Sequence, residues 1–149
     1  MELKLNLEPI ACPRPRISKW GAYYPAAYTA WKKKAAKVVR DAVAGISGHQ
    51  PFTDPIVVTL RFIVQKPKKT KLAVPRPDID NYIKSIFDAC NTIVWSDDTL
   101  VVRVDAVKGW SGQHEPGIYM TVELDAKRIE LPSARTVSEV RKQGRSGPL

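Results

Sequence analysis

Ile56-Val57-Val58-Thr59-Leu60-Arg61-Phe62-Ile63-Val64 decides the fold. Its large apolar side chains alternate with a second row that is itself mostly apolar, which predicts a long and well-buried β-strand. Upstream, Leu3, Leu5 and Leu7 alternate with polar neighbours and predict a first strand with one buried face. From Ala26 to about Ala44, Tyr28, Trp31, Ala35, Val38, Val39 and Ala42 recur at three- and four-residue steps beside lysines, the pattern of an amphipathic helix with a basic face. Gly45 and Gly48 stop it. Between these two elements Pro9, Pro13, Pro15, Gly21 and Pro25 break regular structure and predict a loop. Downstream, Ile83, Ile86, Phe87 and Cys90 share one side of a second helix from about Asn81 to Cys90, with Asp78 or Asp80 placed to cap it. Two further strands are expected at about 101–107 and 118–124. The order β-α-β-α-β-β implies an α+β fold: one domain over residues 1–131, with a mixed sheet and two helices packed on it. Residues 132–149 are polar and basic and are expected to form a disordered tail.

The chain has 149 residues and a net charge of +9. No apolar run reaches the roughly 20 residues of a membrane-spanning helix, and the first residues lack a signal-peptide pattern, so a soluble, cytoplasmic protein is expected. Cys12 and Cys90 form no CxxC pair and no cluster with His49 or His114, which argues against a zinc site and for reduced thiols. No glycine-rich phosphate loop, nucleotide fingerprint or Ser/His/Asp arrangement is present, so no nucleotide cofactor is expected.

The charge is unevenly placed. Residues 1–40 carry +7, whereas residues 75–110 carry −2 through Asp78, Asp80, Asp88, Asp97, Asp98 and Asp105. A basic protein suits a polyanion, and clustered carboxylates oppose one unless a cation stands between them. Mg²⁺ takes oxygen ligands, commonly one or two carboxylates with water and phosphate oxygens, so closely spaced aspartates match it. Read as extended chain, Asp78 and Asp80 point to one side while Ile79 turns inward. Lys84 lies four residues past Asp80, one helical turn on, where it could face a phosphate or simply pair with Asp80. Asp97-Asp98 repel one another, which a second carboxylate pair at a metal site explains better than stability does. The plainer alternative is that all are solvated loop and helix-end aspartates. Asp105 and Lys108 superficially resemble a restriction-nuclease acid-x-Lys pair, but residues three apart fall on opposite faces of a strand.

The run Arg76-Pro77-Asp78-Ile79-Asp80-Asn81-Tyr82-Ile83-Lys84-Ser85-Ile86-Phe87-Asp88-Ala89, then Trp95-Ser96-Asp97-Asp98 and a strand ending in Lys108, resembles the RusA family of Holliday junction resolvases. Pro13-Arg14-Pro15-Arg16 and Tyr23-Tyr24-Pro25 are also similar to its members. The resemblance spans roughly residues 3–125. It implies a homodimeric, Mg²⁺-dependent endonuclease, with Mn²⁺ as a substitute, that makes paired nicks in four-way DNA junctions and is common in bacteria, their phages and prophages. It further implies that Asp78, Asp80 and Asp98 are the essential acids and Lys84 the essential lysine. Asp97, Asn81 and Asp88 fall on motif positions of less defined role.

Arg14, Arg16, Lys32, Lys33, Lys34, Lys68, Lys69, Lys71 and Arg76 are the candidate phosphate contacts. Two other functions fit the same residues. One is a basic DNA-binding accessory protein for branched or single-stranded DNA whose aspartates are structural. The other is a metal-dependent nuclease acting on flaps or forks.

Overall fold

The computed structural model describes residues 1–126; the basic segment 132–149 lies outside the described residues. In chain order the elements are β1 (Glu2–Leu5), β2 (Arg16–Ser18), β3 (Gly21–Tyr23), α1 (Ala26–Ala44), β4 (Ile56–Val64), α2 (Ile79–Cys90), a 3-10 turn (Asp98–Leu100), β5 (Val101–Trp110) and β6 (Gly117–Leu124). Four strands form one mixed sheet in the order β1-β6-β4-β5. β4 pairs parallel with β5, and every other neighbour is antiparallel. This is the expected α+β arrangement, with two helices and a mixed sheet.

The alternation in β4 works as its sequence implies. Ile56, Val58, Leu60 and Phe62 have no exposed surface and pack into the core with Tyr28, Trp31, Ala35 and Val39 of α1 and Tyr82, Ile86 and Ala89 of α2. The other face of β4 is more open: Thr59 and Ile63 are half-buried and Arg61 is exposed. With Glu2, Lys4 and Tyr119 from the neighbouring strands, these residues line a shallow groove of about 650 Å³, to which no helix contributes. Among the described residues, helices therefore cover one face of the sheet only, as antiparallel pairing permits.

α1 presents Tyr28, Trp31, Ala35, Val39 and Val43 to the core and leaves Lys33 and Lys34 exposed. Its first turn hangs on the Pro25 carbonyl, which accepts from Tyr28 and Thr29 N–H. Trp31 Nε1 donates to the Glu8 carbonyl at 2.8 Å, tying the helix to the chain leaving β1. Both cysteines are free and buried.

Two expectations need correcting. The proline-rich stretch is not simply irregular, because β2 and β3 form a small hairpin within it, pairing Arg16 with Tyr23 and Ile17 with Ala22. Strands of three residues are too short to show alternation. Gly21, at φ +113°, supplies the backbone shape the turn requires. α2 begins at Ile79 rather than Asn81, so Asp80 belongs to its first turn and the extended alternation argued for Asp78 and Asp80 does not hold.

β5 enters through a tight turn in which Thr92 takes φ +67° and its N–H donates to the Trp95 carbonyl at 2.8 Å. A β-branched residue in the left-handed region is strained by about 1–2 kcal/mol. Thr92→Gly is expected to raise the free energy of unfolding by about 0.5–1 kcal/mol, the relief being offset in part by the entropy of glycine; urea unfolding monitored by tryptophan fluorescence measures it.

Candidate active site

The exposed side of α2 carries the chemistry. Tyr82, Ser85, Ile86, Ala89 and Cys90 face inward, which leaves Asp80, Lys84 and Asp88 at four-residue steps along the outer face. Asp80 and Lys84 are exposed and Asp88 is half-buried. Among the described residues no ion pair joins Asp80 to Lys84, so the simple i,i+4 pair is not what this spacing serves. Asp78 precedes the helix in extended conformation, exposed, and its side chain makes no capping hydrogen bond. Both carboxylates at the start of α2 are left available.

The loop that delivers Asp78 is fastened from the end of β5. Lys108 Nζ donates to the Pro75 carbonyl at 2.9 Å and also to the Pro77 carbonyl, and Trp110 Nε1 donates to the Leu72 carbonyl at 2.9 Å. Lys108 is thus a positioning residue for the entrance to α2. Its spacing from Asp105 gave no hint of that, because its partners are carbonyls of a distant loop.

Asp97 and Asp98 have different jobs. The Asp97 carboxylate accepts from Thr99 N–H at 2.8 Å, capping the 3-10 turn, and this bond holds its carboxyl below the usual carboxylate range. Asp98 Oδ1 accepts from Trp95 Nε1 at 2.6 Å, and Trp95 is fully buried against Phe87. Burial pushes the Asp98 carboxyl above its ordinary value; the Trp95 bond opposes this, the charges of Asp88 and Asp97 add to it, and Lys84 acts against it. Asp98 thus shares an electrostatic neighbourhood with Asp88, Asp97 and Lys84. Asp78 and Asp80 stand at the other end of the helix, eight or more residues and about 12 Å of helical rise from Asp88.

Asp88 emerges as a junction that its place in the motif does not explain. Tyr28 Oη donates to Asp88 Oδ2 at 3.5 Å, and Lys32 Nζ lies 4.0 Å from the same oxygen. Burial, Cys12 and Asp88 together push the Tyr28 hydroxyl far up, so it acts only as a neutral donor. Of the basic candidates, Lys32 is thus partly engaged, while Arg14, Arg16, Lys33, Lys34, Lys68, Lys69, Lys71 and Arg76 are exposed.

Among the described residues no three His, Cys, Asp or Glu side chains gather closely enough to hold a metal ion by themselves. The donors nevertheless suit Mg²⁺, which is commonly held by one or two carboxylates, the rest of its shell being water and substrate phosphate. Asp78 and Asp80, exposed and without ion-pair partners among the described residues, are such a pair.

Two measurements follow. Asp98 binds its proton more tightly folded than unfolded, so its contribution favours folding at low pH and is lost as pH rises through the folded value. Asp98→Asn keeps an oxygen for Trp95 and is expected to raise the melting temperature at pH 7 by roughly 1–3 °C, solvent screening keeping the effect small, with the gain fading toward about pH 4. Lys108→Met is expected to speed tryptic cleavage at Lys69 and Lys71 several-fold while shifting the melting temperature by less than about 3 °C.

The model of the family described as endodeoxyribonuclease RusA matches residues 6–123. No curated protein matches the chain. With a match over most of its length, reaching from the end of β1 to the end of β6 and enclosing every residue of the α2 row, the chain belongs to the RusA family of endodeoxyribonucleases.

Proposed function

We propose that this protein is a divalent-metal-dependent endonuclease that resolves four-way DNA junctions by paired, symmetric nicks as a homodimer, in recombination and repair in the cytoplasm of a bacterial cell, encoded by the host, a phage or a prophage. The observation that carries this reading is the Asp80, Lys84, Asp88 row on α2, met by Asp98, in a chain of the RusA family whose surrounding loops are basic.

Asp78 and Asp80 are the residues that would hold Mg²⁺, or Mn²⁺ in its place. The chemistry such an ion supplies is neutralisation of phosphate charge and acidification of water. Lys84, one turn along the helix from Asp80, places an ammonium group to stabilise charge on the phosphoryl oxygens. Asp98 has one oxygen fixed by Trp95 Nε1 and stands on the Asp88 and Lys84 side of the site, where its charge would help orient the Lys84 ammonium toward the bound phosphate. Attack by water forms a new P–O bond and breaks the bond from phosphorus to the 3′ oxygen, the water's proton passing to solvent and the departing 3′ oxygen taking one from it. The products carry a 5′ phosphate and a 3′ hydroxyl. Exposed Arg14, Arg16, Lys33, Lys34, Lys68, Lys69, Lys71 and Arg76 hold the DNA backbone, with Lys32 shared between DNA and Asp88. Two-fold symmetry supplies two such sites for two opposing strands.

The competing reading is a binder that does not cut. Asp80→Asn and Lys84→Ala are each expected to lower incision of a labelled four-way junction at least about 100-fold, while junction binding in EDTA stays within about twofold and weakens steeply with salt. Absence of metal-dependent cutting by the wild-type protein, with binding intact, leaves the accessory-protein reading standing.

A further inference from the structure

The β2–β3 hairpin exposes side chains that a free protein surface has no use for. Ile17 is 87% exposed, Trp20 is 86% exposed and Tyr23 is 48% exposed, all on an element of eight residues. Trp20 sits in the turn, where its N–H donates to Ser18 Oγ at 3.2 Å and Lys19 Nζ lies 4.9 Å from the centre of its ring. Nothing from the sheet or helices covers it. The hairpin opens a stretch, residues 9–40, that contains eight Lys or Arg and no Asp or Glu. Like charge of that density opposes pairing with a second copy of the same surface and attracts a polyanion.

Its mounting connects it to the active site. Cys12 N–H, at the approach to the hairpin, donates to the Asn81 carbonyl of α2 at 2.9 Å. Tyr24, at its exit, packs on Tyr28 with ring centres 5.3 Å apart, and Tyr28 reaches Asp88. The chain entering the hairpin is thus tied to α2 at Asn81, and the chain leaving it packs on Tyr28 of α1, which itself reaches Asp88 of α2.

We propose that this hairpin is a branch-point reader: Trp20, supported by Ile17, stacks on a nucleobase whose face is exposed where the duplex is interrupted, while Arg14, Arg16 and Lys19 hold the adjoining phosphates. Base faces are closed to an aromatic ring inside a continuous duplex and open at a junction centre, so the same contact that binds also discriminates. The proposal rests on the junction-cleaving reading above and names the element that selects its substrate.

The test compares wild type, Trp20→Ala and Trp20→Phe for binding, in EDTA, to a fluorescein-labelled four-way junction and to a linear duplex of the same arms. A second junction carries 2-aminopurine at the branch point. The expected result is that Trp20→Ala weakens junction binding about five- to a hundredfold, leaves duplex binding within twofold and abolishes the change in 2-aminopurine emission, and that Trp20→Phe restores most of each. Equal loss on both DNAs overturns the proposal in favour of a general backbone contact, and no loss on either overturns it outright. A dimer-to-monomer shift of Trp20→Ala in sedimentation overturns it in favour of self-association. Because binding is read without metal, failure here is separate from failure of wild type to cut the junction in Mg²⁺, which sinks the nuclease reading itself.

Discussion

The parallel pairing of β4 with β5 is the constraint on which the rest of this molecule depends. Two parallel neighbours cannot be joined by a tight turn, so the chain must cross over the sheet, and α2 is that crossing. One end of the helix is thereby fixed near the finish of β4 and the other near the start of β5. Asp78 and Asp80 are delivered at the first end, where the last residues of β5 can reach the incoming loop through Lys108 and Trp110. Asp97 and Asp98 are delivered at the second, against Trp95. A helix whose inner face is needed for the core has only its outer face left for chemistry, and that face carries acid, base and acid in sequence.

The electrostatics of that face are costly by construction. Asp98 is drawn partly out of water beside Asp88, and its proton affinity rises as a result. The protein retains an arrangement that works against its own folding at neutral pH, a common property of sites arranged for reaction. Trp95 moderates the cost: it fills the core with its ring and donates its one N–H outward, so a single buried residue links packing to the position of the Asp98 carboxylate.

How much of this was legible in the sequence varied with the range of the interactions involved. Ile56–Val64 and Ala26–Ala44 have long, regular patterns, and both match the elements seen. The hairpin was hidden because three-residue strands leave no period and because prolines around it signal a loop. The Asp78-Ile79-Asp80 spacing by itself implies strand geometry, whereas Ile79 already begins α2, a difference of two residues that changes where a side chain points. Asp97 was read as half of an acidic pair, whereas a hydrogen bond to Thr99 N–H gives one of its oxygens a local task. Lys108 and Asp88 acquire meaning only through partners thirty or more positions away, which no local pattern encodes.

The order in which these parts can form has its own consequence. The β2–β3 hairpin is paired within eight residues, whereas α1 packs on β1 and α2, and the β4–β5 ladder needs the whole crossing helix in place; contacts of that range are slower to form. A chain still completing its fold already displays the basic charge of its N-terminal third, while the two ends of α2 are not yet registered against the sheet. The charge that attracts a polyanion is thus carried by the N-terminal third of the chain itself, whereas the placement of Asp78, Asp80 and Asp98 about one helix exists only once the crossing is complete.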